Sequence, residues 1–72
     1  MEGKIMSSTE RFLMLVGFDA INGTVVNHVY EDYVVWCEAN KNNYLSKAAL
    51  TRAAKKLFNV NVKRRRRKFL FI

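Results

Sequence analysis

LSKAALTRAAKKLFNVNVKRRRRKFLFI, Leu45–Ile72, changes its period half-way along, and that change decides the fold. Up to Phe58 the pattern is helical: Leu50, Ala53, Ala54 and Leu57 fall at i, i+3, i+4 and i+7, one face of a helix over roughly 47–58. Ser46 is a good N-cap for it, and Asn59 can end it. The small alanines let this helix approach its neighbour closely. Beyond Asn59 the pattern alternates, with Val60 and Val62 before a run of cations and Phe69 and Phe71 after it. That reads as a hairpin with a basic tip. A turn at Arg65-Arg66 sets Val62 opposite Phe69 and Val60 opposite Phe71; a four-residue loop over Arg64–Arg67 keeps the same pairing. The longer loop is favoured, because arginines are poor formers of a type I′ turn. A slip of one residue would expose a phenylalanine or bury a cation. Leu70 and Ile72 fall on the other face, half exposed or covered by the first helix.

Charge divides the chain in two. Every acid (Glu2, Glu10, Asp19, Glu31, Asp32, Glu38) precedes residue 39. Residues 1–40 hold these six acids and two bases, Lys4 and Arg11, a formal charge of about −4. Residues 41–72 hold eleven bases and no acid, about +11. The back half is suited to a polyanion.

The bulk numbers exclude several classes. A chain of 72 residues makes one small domain and buries only roughly 60% of its unfolded surface. Half of the residues are apolar, which excludes wholesale disorder. Cys37 is the single cysteine and His28 the single histidine, so neither an internal disulfide nor a zinc cluster is expected. The longest apolar run, Phe12 to Val16, is far short of the roughly 20 residues that span a bilayer. Met1–Ser8 lacks the apolar core of a signal peptide. A soluble protein of the bacterial or host-cell cytoplasm is the expectation.

Upstream, residues 1–6 carry no pattern and are expected to be disordered, with one domain over 7–72. Ser7 and Glu10 fit a capping box for a helix over about Ser8–Val16, with Phe12, Leu15 and Val16 on one face and Gly17 near its end. Phe18–Gly23 reads as a connection that packs Ile21 on the core. Thr24 then caps the longest helix, about Val25 to Asn40. Its stripe is Val26, Val29, Tyr30, Tyr33, Val34 and Cys37, flanked by Trp36. Lys41–Leu45 is a turn whose asparagines accept left-handed conformations.

Three helices followed by a two-stranded antiparallel C-terminal hairpin make an α+β chain. A short turn before a basic third helix is the plan of a winged helix-turn-helix, with that helix in the major groove and the hairpin as wing. A three-helix bundle with a disordered basic tail is the competitor, and the alternating Val/Phe pairs argue against it. In addition, VYEDYVVWCEANKNNYLSKAALTRAAKKL (Val29–Leu57) resembles the C-terminal domain of phage and plasmid primase–helicases of helicase superfamily 3. The matching positions are Val29, Tyr30, Tyr33, Trp36, Cys37, Leu45, Ser46, Leu50, Lys55, Lys56 and Leu57, and the likeness extends over roughly residues 8–72. The resemblance implies a winged-helix DNA-binding module of a mobile element's replication machinery. A helicase, primase or other replication protein is then an implied partner. No Walker-type loop, motor or primase residues are present, so no helicase activity is carried over. The chain is read as a free-standing relative or a piece of a longer one.

Candidate DNA-binding residues are Lys47, Thr51, Arg52, Lys55 and Lys56 on the third helix and Lys63, Arg64, Arg65, Arg66, Arg67 and Lys68 at the tip. A solvated face is the bland reading of the helix, but such faces intersperse acids and this one has none. Lys47, Thr51 and Arg52 lie where base edges are usually reached, and Arg52 can read guanine bidentately. Lys55 and Lys56 suit phosphates. The tip can bind phosphates or a narrow minor groove, act as a nuclear address, seek anionic lipid, or merely solubilise. A membrane role lacks the amphipathic helix it needs. Cys37 reads as a core residue, His28 as surface and Trp36 as packing; Tyr44 is either core or a phosphate donor. The reading is a non-enzymatic module for double-stranded DNA, without cofactor or metal, acting as a monomer or weak dimer in replication initiation or its control. The alternative is a regulatory module whose basic face docks an acidic protein partner. An RNA binder would need an exposed aromatic platform, which the pattern does not offer.

Overall fold

A computed structural model describes residues 7–72; the expected disorder of residues 1–6 lies outside the described residues. Ser7 opens the first helix, α1 (Ser8–Val16), through the capping box its spacing from Glu10 predicts. The Glu10 N–H donates to Ser7 Oγ at 3.4 Å, and the Ser7 N–H donates to Glu10 Oε1 at 3.1 Å. The inward face of α1 differs from the expected one. Phe12 is buried as expected, but its companions are Thr9 and Leu13, while Leu15 is 67% exposed and Val16 also lies at the surface. Phe12 belongs to either face. The helix is turned towards Leu13 because it packs on the later helix at 47–58 as well as on the long one.

Gly17, at φ 84° and ψ 167°, occupies backbone space open essentially to glycine alone. It redirects the chain into a one-turn helix, α2 (Phe18–Ile21), where a plain connection was expected. The described residues therefore form four helices. α2 buries Ile21 and sets the Phe18 ring edge-on to Phe58 at 6.1 Å.

The long helix, α3 (Val26–Ala39), is capped by Val25 and not by Thr24. Thr24 is otherwise engaged: its hydroxyl donates to the Ala20 carbonyl, and its own carbonyl accepts from the Phe71 N–H at 3.1 Å. The expected stripe forms, with Val26, Val29, Tyr33 and Cys37 buried and Tyr30, Val34 and Trp36 partly so. Residues 40–46 lead into α4 (Lys47–Phe58), which buries Leu50, Ala53 and Ala54.

The C-terminal strands, β1 (Val62–Arg65) and β2 (Lys68–Phe71), pair antiparallel, Val62 with Phe71 and Arg65 with Lys68. This corrects the expected register by two residues. Val62 faces Phe71 and not Phe69, and the connection is the two-residue Arg66-Arg67 in place of a four-residue loop. The cause lies at the end of α4. Asn59 ends α4 in the left-handed region at φ 57°, and Val60 fills the core as the chain leaves the helix instead of facing Phe71 across the hairpin. Pairing then begins at Asn61, which exchanges two 2.8 Å backbone bonds with Ile72. A shift of two preserves side-chain parity, so Phe71 still points inward. On its other edge β2 is held by residues 23–25: the Gly23 N–H donates to the Phe71 carbonyl at 2.6 Å, and Val25 bridges Leu70. Leu70 is thus half-buried beside Val25, and Ile72 remains exposed.

The Tyr33 side chain is buried at the centre of this assembly. Its hydroxyl accepts from the Leu45 N–H at 2.9 Å and shares a hydrogen bond with Ser8 Oγ at 2.6 Å. Burial pushes the phenol above its ordinary value of 10.0, although the bonds with Ser8 and Leu45 oppose the shift. Folding therefore favours the protonated phenol. That contribution is complete below the unfolded-state value and is lost as pH rises through the folded-state value. Tyr33→Phe leaves the Leu45 N–H without its acceptor and is expected to lower the unfolding free energy by about 1–3 kcal/mol. Urea titrations from about pH 8 to about pH 11 should show wild-type stability falling at the alkaline end, and less so in the variant.

Candidate nucleic-acid interface

The basic helix is held at its start by two tyrosines one turn apart. Tyr33 accepts from the Leu45 N–H, and the Tyr30 hydroxyl donates to the Leu45 carbonyl at 2.8 Å. Both backbone polar groups of the residue before the cap are thereby satisfied from α3. Ser46 Oγ then accepts from the Ala49 N–H at 3.2 Å, closing the first turn of α4. In the last turn Lys55 and Lys56 complement the negative end of the helix dipole.

Ala48, Arg52 and Lys55, at i, i+4 and i+7, form the outward stripe of α4, with Lys56 beside it; all four are exposed. Ala48 leaves the first turn low enough for a surface to come close. The other two helix candidates sit differently. Lys47 Nζ donates to Asn27 Oδ1 on the first turn of α3, and Thr51 is half-buried with its hydroxyl donating to the Lys47 carbonyl at 2.9 Å. Arg52, Lys55, Lys56 and Lys47 thus all face solvent, Lys47 with its ammonium engaged by Asn27, and Thr51 is half-buried beside them.

All six cations of Lys63–Lys68 are exposed on the hairpin. Lys63, Arg65 and Lys68 share the face of Leu70; Arg64 shares the face of Phe69 and Phe71; Arg66 and Arg67 make the turn. Both turn residues lie in the left-handed region, at φ 49° and 69°. This is the type I′ pattern, which matches strand twist but prefers Asn-Gly. The two basic groups are linked through α3, which packs against both α4 and β2. Among the described residues no cation from 47 to 68 forms an ion pair with an acid, so their charge is directed outward.

No family model, curated protein or solved structure matches this chain. The functional reading therefore rests on the surface itself. The described residues form no pocket and no cluster of three or more His, Cys, Asp or Glu. None of their helices is long and apolar enough to cross a membrane. Cys37 is buried and His28 exposed. Trp36 is half-buried against Phe12 at 5.7 Å and beneath the Arg11 guanidinium at 5.9 Å, a packing position. Tyr44, left open between core and surface, is 52% exposed. One residue escaped the sequence reading. Phe69 was expected in the core and is 54% exposed. Val60 fills the core in place of pairing with Phe71, and Phe69 then faces Arg64 further along the hairpin.

Arginines at both left-handed turn positions lower hairpin stability relative to the residues such a turn prefers. Replacing Arg66 by Asn and Arg67 by Gly together is expected to raise the unfolding free energy by about 1–2 kcal/mol. Thermal melts followed by circular dichroism check this; an unchanged or lowered midpoint would count against a strained turn.

Proposed function

We propose that the chain is a non-enzymatic winged helix-turn-helix module that binds duplex DNA. In this reading α4 lies in the major groove and the Lys63–Lys68 wing lies on the flanking backbone or in the minor groove. The observation that carries it is the Arg66-Arg67 pair, at φ 49° and 69°. A turn that breaks a local rule, with no hydrogen bond or ion pair from either side chain among the described residues to compensate, points to selection for what the side chains do outside the fold. The order of helices and hairpin, and the run of residues 23–25 along β2, support the winged architecture. The acid-free surface supports a polyanionic partner. The resemblance of Val29–Leu57 supports a place in the replication initiation, or its control, of a phage or plasmid.

Arg52, central on the outward stripe, is the base-reading residue in this proposal. Lys55, Lys56 and the wing cations neutralise phosphates. Lys47 and Thr51 position the first turn of α4.

Fluorescence anisotropy with a labelled duplex over a range of salt concentrations tests the proposal. If about six phosphates are neutralised, log K should fall with log salt at a slope near −5. Alanine at Arg64–Arg67 should flatten that slope by roughly 4. Arg52→Ala should erase sequence preference. The Arg66→Asn, Arg67→Gly pair should bind more weakly although its fold is more stable. Failure of the folded wild type to bind any duplex at low salt would overturn the proposal in favour of an acidic protein partner.

A further inference from the structure

Phe69 stands apart from every other aromatic of the hairpin and core. Phe71, two residues on, is fully buried, whereas Phe69 is 54% exposed on the same face further along the wing. Its cross-strand partner is Arg64. Because Asn61 and Ile72 exchange both backbone bonds, the alternation makes Arg64 and Phe69 a non-hydrogen-bonded pair, in which side chains lie closest. The residues from 63 to 68 between these strands and their turn are all cations, all exposed. An open ring is thus set in a strongly basic hairpin, at a position the core does not need filled.

Resting on the duplex-DNA reading above, we infer that Phe69 stacks on an unpaired nucleobase, so that the module prefers DNA with a duplex–single-strand junction to uninterrupted duplex. A flat aromatic face among backbone-binding cations is the combination by which proteins hold unpaired bases. Every base presents a π-face, so the contact requires no sequence match. In closed duplex the ring has no partner until a base step is unstacked, at an energetic penalty. At a fork the base is already free. The duplex arm engages α4 and the wing cations, and the first unpaired base beyond it meets Phe69. The bland account, a β-favouring residue that happens to be exposed, predicts no preference between the two DNA forms.

The test uses the full chain and two labelled probes with the same duplex sequence, one blunt and one with unpaired arms, titrated at one salt concentration. Wild type should bind the forked probe roughly 5- to 100-fold more tightly than the blunt one. Phe69→Leu keeps apolar bulk and removes the π-face, and should bring that ratio close to one. Phe69→Trp should retain it, with indole fluorescence quenched by the fork. Circular dichroism of each variant checks that the hairpin is intact. Equal affinity of wild type for the two probes, or a fork preference that survives in Phe69→Leu, overturns the inference while the duplex-binding reading stands. Binding to neither probe overturns both.

Discussion

The Tyr33 hydroxyl is the point on which three helices depend. It reaches from α3 to Ser8 at the start of α1 and to the Leu45 N–H just before α4, while its ring lies 5.6 Å from that of Phe12. A small domain cannot rely on area alone to hold its elements. Here one buried side chain both fills the centre of the core and supplies the hydrogen-bonding group that the α3–α4 turn needs. Tyr30, one turn earlier, completes the restraint by taking the Leu45 carbonyl. Two phenols projecting from a single face of α3 thus hold the residue that leads into α4, alongside the turn's own backbone bond from the Asn42 N–H to the Cys37 carbonyl.

The hairpin is attached by a second device of the same kind. Phe71 is fully buried, and its N–H and carbonyl are both bonded to the segment 23–24 on the edge away from β1. The base of the hairpin is thus a central strand flanked on both sides, while its outer half has only its own partner. This asymmetry explains why the distal residues can all be cations. Nothing there must be dry, and the exposed ring of Phe69 belongs to that outer half.

What the residues revealed in advance follows from how local each cause is. The capping box at Ser7, the i, i+3, i+4, i+7 stripes of α3 and α4 and the Ser46 cap are each decided within one or two turns, and each forms as the pattern indicates. The misreadings share a different origin. Phe12 is compatible with two faces of α1, and only packing against both α3 and α4 selects Leu13 over Leu15. Thr24 is an excellent cap by type, yet its carbonyl is drawn to Phe71, forty-seven residues later in the chain. The hairpin register differs because Val60 is taken up by the core before the strands begin and does not face Phe71. Among the site residues, exposure of Arg52, Lys55, Lys56 and the six wing cations was legible, because charge seeks water. The hydrogen bonds that engage Lys47 with Asn27 at the surface and Thr51 with the helix backbone were not.

The division of charge along the chain acquires a physical meaning once these contacts are known. Every acid belongs to the first half, which supplies α1 to α3, and ten of the thirteen cations belong to α4 and the hairpin. Opposite charges could have joined these halves through ion pairs, yet among the described residues they are joined by phenols, backbone bonds, apolar burial and the hydrogen bond from Lys47 to the neutral Asn27. Neutral attachments matter for a surface that must meet a polyanion. An arginine already paired with a carboxylate must give up that partner before it can neutralise a phosphate, and the exchange gains little. An unpaired arginine releases counterions and keeps the full electrostatic gain. The repulsion among the wing cations opposes compactness, but it falls on the half of the hairpin that carries the least of the core. Screening by salt then weakens the surface's attraction for its partner while leaving the contacts that orient it largely untouched.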